Sequence, residues 1–115
     1  MESEKFLKEF LQYLESQQFT LVNTTETIKV YEKFDKRLGD CKLEKRYIVS
    51  PKFQMIKCEL SILLGSTIYS QSFQYTIEHI LSRKNNSISQ ICSELEQDCF
   101  LSILRDNSLN NPQLV

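Results

Sequence analysis

Ile56, Cys58, Leu60, Ile62 and Leu64 fall at every second position of one run, opposite Lys57, Glu59 and Ser61. A strand turns successive side chains to opposite faces, so this alternation demands a sheet with one buried face and one face toward solvent. The spacing predicts a strand over Phe53 to Leu64, central in its sheet and ended by Gly65-Ser66.

The neighbouring segments carry the same period. Lys42 to Ser50 sets Leu43, Tyr47 and Val49 against Lys42, Glu44 and Arg46. Thr27 to Phe34 sets Ile28, Val30 and Phe34 against Lys29, Tyr31 and Lys33. Phe19 to Val22 suggests a short first strand, with Asn23-Thr24-Thr25 as a turn. Leu38-Gly39-Asp40 and Ser50-Pro51-Lys52 supply further turns, the second because proline fixes φ and donates no ladder bond. Thr67 to Ile77 fits two periods. Its density of Thr and Tyr favours a strand to Thr76, followed by a short helical turn to Arg83.

Helices bracket these strands. Phe6, Leu7, Phe10, Leu11 and Leu14 recur at three- and four-residue steps, predicting an amphipathic helix over Ser3 to Gln17. After the polar break Arg83-Lys84-Asn85-Asn86, Ser87 with Gln90 forms a capping box. It opens a helix to Arg105 whose stripe includes Ile88, Ile91, Cys92, Leu95, Cys99 and Ile103. The expected fold is α+β: an N-terminal helix, a four- to five-stranded antiparallel meander and a C-terminal helix, in a two-layer sandwich. The 115 residues suit one domain over 1–106, with 107–115 a flexible polar tail.

The chemistry-bearing residues are sparse. There is one histidine, His79, and there are two glycines, Gly39 and Gly65, too few for a phosphate-cradling loop. Cys41, Cys58, Cys92 and Cys99 form no CxxC pair and stand in no zinc spacing with His79, so they are expected to be reduced and mostly buried. No catalytic set, cofactor site or metal site emerges, and the chain is expected not to be an enzyme. The acidic, polar start and the lack of a long apolar run point to a cytoplasmic protein without a membrane segment.

Charge is distributed unevenly beneath a net charge of −1. Residues 1–28 carry a balance of −3, residues 29–57 one of +5 and residues 58–115 one of −3. If the strand faces coincide, Lys29, Tyr31, Lys33, Lys42, Arg46 and Lys57 form a basic sheet surface able to meet RNA or an acidic protein. Glu94, Glu96 and Asp98 offer an acidic patch on the last helix for a basic protein partner. The function these features favour is a non-catalytic protein-binding module, an inhibitor or immunity-type protein that neutralises a toxin or enzyme, a basic nuclease toxin being the natural match. The alternatives are a nucleic-acid-binding domain on the basic face and, behind it, a small-ligand carrier or enzyme. Homodimerisation is a further option if the helices leave apolar sheet surface uncovered.

Overall fold

A computed structural model of the chain describes residues 2–36, 41–82 and 87–106. The elements run α1 (Glu2–Ser16), β1 (Thr20–Thr24), β2 (Lys29–Lys36), β3 (Cys41–Ser50), β4 (Met55–Leu64), β5 (Thr67–Thr76), α2 (Ile77–Leu81) and α3 (Ile88–Asp106). The strands form one antiparallel sheet in the order β1-β2-β3-β4-β5, a meander in which each strand pairs with its chain neighbour. The α+β architecture expected from the sequence is present, with five strands. The expected turn at Leu38-Gly39-Asp40, the break at residues 83–86 and the tail at 107–115 lie outside the described residues.

Several boundaries differ from the sequence reading, two of them by enough to move a turn. β4 begins at Met55 rather than Phe53. Phe53 lies in the β3–β4 turn and is 58% exposed. Gln54, at φ 54°, bends the chain there, and its side-chain Nε2 donates to the Pro51 carbonyl at 2.8 Å. β1 extends through Asn23 and Thr24, which pair with Val30 and Lys29, while a bulge at Val22 shifts the register. The turn is built later, where Thr25 Oγ1 accepts the backbone N–H groups of Thr27 and Ile28.

Register carries the alternation of β4 across the sheet. Val49, Tyr47 and Leu43 of β3 stand opposite Ile56, Cys58 and Ile62 of β4, and all six are buried. The helices lie on this side. Phe10 of α1 packs edge-on against Tyr47, with ring centroids 5.5 Å apart. α3 lies over β4 and β5, and α1 packs against α2 and α3. α1 buries Phe6, Leu7, Phe10 and Leu14, each fully buried side chain of this kind contributing roughly 1.5–3 kcal/mol. The expected cap of α3 forms: Ser87 Oγ accepts the Gln90 N–H at 3.1 Å. Thr76 does the same for α2, accepting from His79.

Candidate interaction surface

The opposite side of the sheet is free of helices among the described residues. Its rows follow from the register. Glu32, Arg46, Glu59 and Ser72 lie side by side across β2 to β5. Phe34, Glu44, Ser61 and Ser70 form the next row, and Lys42, Leu63 and Ile68 stand beyond it. Val30, Ile48, Lys57 and Gln74 form the row on the other flank.

The basic residues singled out from the sequence do not share this face. Lys42, Arg46 and Lys57 belong to it, but Lys29, Tyr31 and Lys33 turn toward the helices. The assignment of the two sides of β2 is therefore corrected. Tyr31 is buried directly opposite Tyr47, whereas Phe34 projects away from the core at 64% exposure. Tyr31 fits beside the Tyr47–Phe10–Phe19 aromatic group. Its two lysine neighbours lie at the margin of the helix layer, where a long apolar stem is covered while the ammonium stays wet. Lys33 Nζ lies 5.7 Å from the centroid of the Phe19 ring.

Arg46 organises the centre of the helix-free face. Its Nε donates to Glu32 at 2.7 Å, its Nη1 to Glu59 at 3.0 Å and its Nη2 to Glu44 at 3.3 Å. Glu32 and Glu59 are its cross-strand neighbours on either side, and Glu44 precedes it by two residues on the same strand, hence the same face. Partial burial acts to lower the guanidinium pKa, but the Glu32 hydrogen bond and the three carboxylates outweigh it and raise the pKa above its ordinary value. The cluster holds one positive and three negative groups. The exposed apolar residues Phe34 and Ile68, each 64% exposed, lie beyond it toward the β2–β3 and β4–β5 ends.

The acidic trio of α3 also separates. Glu96 turns to the sheet, where its Oε2 accepts from the Tyr47 hydroxyl at 2.7 Å and its Oε1 meets Lys45 Nζ at 3.0 Å. Asp98 stays exposed and accepts from the Tyr75 hydroxyl at 3.3 Å. Glu94 is half-buried. Residues two apart on a helix are about 200° apart around its axis, so 96 cannot share a face with 94 and 98. Burial, with nearby thiols and Glu96, pushes the Tyr47 hydroxyl well above its usual pKa. Burial and Asp98 do the same to Tyr75.

Beside the Lys45–Glu96 pair, a groove of about 400 Å³ opens between α3 and the far end of the sheet. Leu43, Leu60, Ile62 and Phe100 line it, and Cys41 stands at its margin. Cys41 is half-buried, whereas Cys58, Cys92 and Cys99 are buried, and all four are free. The Cys99 thiol donates to the Cys58 carbonyl at 3.4 Å. His79 is exposed on α2 and stacks on Tyr75, with centroids 6.1 Å apart. Among the described residues no three His, Cys, Asp or Glu side chains converge as a metal site, and no helix is long and apolar enough to cross a membrane.

The sequence reading missed Glu32 and Glu59 as partners of Arg46, and Lys45 and Tyr47 as partners of Glu96. Alternation in β3 and β4 places Arg46 and Glu59 on one face, and Glu32 joins them only through the pairing of β2 with β3. Their meeting in one row depends on hairpin register. No protein family, curated protein or solved structure matches the chain.

Proposed function

We propose that the chain is a non-catalytic protein-binding module of the inhibitor or immunity type, which neutralises a basic partner protein, a nuclease toxin fitting best, through the helix-free face of its sheet. The observation that carries this reading is a fixed carboxylate cluster and exposed apolar side chains together on one face. Protein interfaces join apolar anchors to charges of complementary sign. Within the cluster Glu32, Glu44 and Glu59 exceed Arg46 in charge, which suits a basic group of the partner docked at its centre, while Lys42 and Lys57 flank the cluster in the rows on either side. Because Arg46 already holds the carboxylates, they lose less side-chain freedom on docking. Phe34 and Ile68 offer the apolar contact beside them. The four free cysteines support placing this role in a reducing compartment, the cytoplasm.

Affinity capture from the native host tests the reading. The immobilised chain is expected to retain a basic protein in stoichiometric amount, the product of an adjacent gene included. Capture is expected to fall at least about tenfold with Phe34→Ser and Ile68→Ser together, and again with Glu32→Gln and Glu59→Gln. Recovery of no stoichiometric protein, or capture indifferent to both pairs, defeats it. Tight binding of labelled single-stranded RNA at low salt, lost with Lys42→Ala, Arg46→Ala and Lys57→Ala, would move the function to nucleic acid instead.

A further inference from the structure

β5 forms one edge of the sheet, and its ten residues, Thr67–Thr76, include no charge, no proline and no glycine. Edge strands carry unpaired N–H and C=O groups, and proteins guard them with charge, proline, bulges or short length. The opposite edge is guarded: β1 has five residues and a bulge at Val22. β5 has none of these devices. It runs in unbroken register along β4 from Thr67 to Thr76.

The outward groups of β5 can be identified. The Ser72 N–H donates to the side-chain Oε1 of Gln71 at 3.1 Å, so it points away from β4. Just past the strand, the Ile77 N–H donates to the Gln54 carbonyl at 2.8 Å, so odd-numbered residues bond inward. Antiparallel ladders alternate, and Ile68, Ser70, Ser72 and Gln74 therefore present their backbone groups outward, with the N–H of Thr76 alone beyond them because its carbonyl serves the first turn of α2. Apolar side chains flank this row on both sides. Ile68 lies on the helix-free face, and Leu101 of α3, 50% exposed, lies on the other beside Phe73 and Tyr75. Asp98 and Arg105 border the same shallow groove.

We propose that two copies of this chain join β5 to β5 across a two-fold axis at Ser72, making one continuous sheet. Residues facing each other across the new ladder must lie on the same side of the sheet, and centring on Ser72 meets that condition. It pairs Ser72 with itself and Ser70 with Gln74, and brings the Thr76 N–H beside Ile68. On the helix side Tyr69 meets Tyr75, an aromatic pair that favours a sheet, and Gln71 meets Phe73. A charged edge would repel its own copy, whereas this one brings no like charges together. The axis reverses the order of Asp98 and Arg105, so Asp98 of one groove approaches the end of the other where Arg105 stands beside Asp106. The Ser72 N–H exchanges its bond to Gln71 for the partner's carbonyl. The face bearing Arg46 and Phe34 stays open in both copies.

Light scattering on the full chain tests the proposal, with amide exchange measured at low and high protein concentration. The expected mass is twice 13.6 kDa. Protection of the Ser70, Ser72 and Gln74 amides should rise with concentration. Ser72→Lys sets two ammonium groups face to face and should return the mass to 13.6 kDa with an unchanged circular dichroism spectrum, while Val22→Lys on β1 leaves the dimer intact. Should Ser72→Lys fail to fold, Ser70→Lys with Gln74→Lys reads the same contact. A monomer at every concentration overturns the proposal. So does a dimer indifferent to both sets of lysines, or one abolished by Val22→Lys.

Discussion

The hydroxyl of Tyr47 donates to the carboxylate of Glu96 at 2.7 Å, joining the middle of β3 to the middle of α3 across 49 residues of sequence. Lys45, two residues before Tyr47, closes on the other oxygen of the same carboxylate. Apolar packing positions α3 loosely along its stripe, and this three-residue group fixes where it stops. Tyr47→Phe keeps the ring among Phe10 and Phe19 and removes the donor. It should lower stability by about 1–2 kcal/mol in urea unfolding. Glu96→Ala also strands the Lys45 ammonium and should cost about 3 kcal/mol. Equal losses for the two variants would mean that the Lys45 pair carries no weight.

Arg46 is the single cation among three carboxylates, and its removal leaves Glu32, Glu44 and Glu59 facing one another. Arg46→Met should destabilise by about 1–2 kcal/mol, the sum expected of partly exposed pairs acting as a network. Roughly half of that loss should disappear in ~1 M sodium chloride, which shortens the reach of the repulsion to about 3 Å. A loss unaffected by salt would assign the role of Arg46 to packing of its stem.

Burial pushes the Cys92 thiol up to about 12 from the usual 9.0. Cys58 is raised as well, by its contact with the Cys99 thiol and by burial. In the unfolded chain these protons leave near pH 9, while the folded chain retains them. Their contribution to stability is therefore complete below about pH 9 and declines as pH rises toward the folded value, by about 1.4 kcal/mol per pH unit for each thiol. Urea unfolding in reductant should show this loss between about pH 9 and about pH 10.5. A flat profile would contradict it.

Reactivity follows from the same burial. A maleimide should add once to the folded chain at neutral pH, at Cys41, and four times after unfolding. Mass spectrometry of the intact protein counts the adducts. Rapid modification of Cys92 or Cys99 in the folded chain would show that α3 lifts from the sheet.

Gly65, at φ 60°, makes the β4–β5 turn, and a Cβ added there meets no atom within 4 Å. The cost of Gly65→Ala is then purely that of the left-handed backbone, about 1–2 kcal/mol. Gly65→Asn should cost less, because asparagine tolerates that conformation. A midpoint for Gly65→Ala equal to the parent would show that the turn relaxes to another form.

Much of the fold was legible because its periods are clean. β4 alternates along its length, and α1 repeats at helical steps from Phe6 to Leu14, so one face of each is unambiguous. β2 is different. Both of its sides carry aromatic and apolar material, Val30 and Phe34 against Tyr31, and its own pattern favoured the wrong one. The side was decided by Tyr47 across the ladder, a tertiary choice that no window on β2 contains. The separation of Glu96 from Glu94 and Asp98 was accessible, since a helix cannot gather residues two apart. Its bond to Tyr47 was not, because that depends on how α3 seats on the sheet.

The sequential order of the strands has a consequence for the chain as it leaves the ribosome. α1 and the five strands can assemble from neighbours as they emerge, each hairpin closing a short loop. α3, whose Cys99 thiol donates to the Cys58 carbonyl, follows all five strands in the chain. Until residue 106 has been made, the nascent sheet shows its apolar side to the cell. The interval between the completion of β5 and the arrival of α3 is the period in which a chaperone would have most to hold.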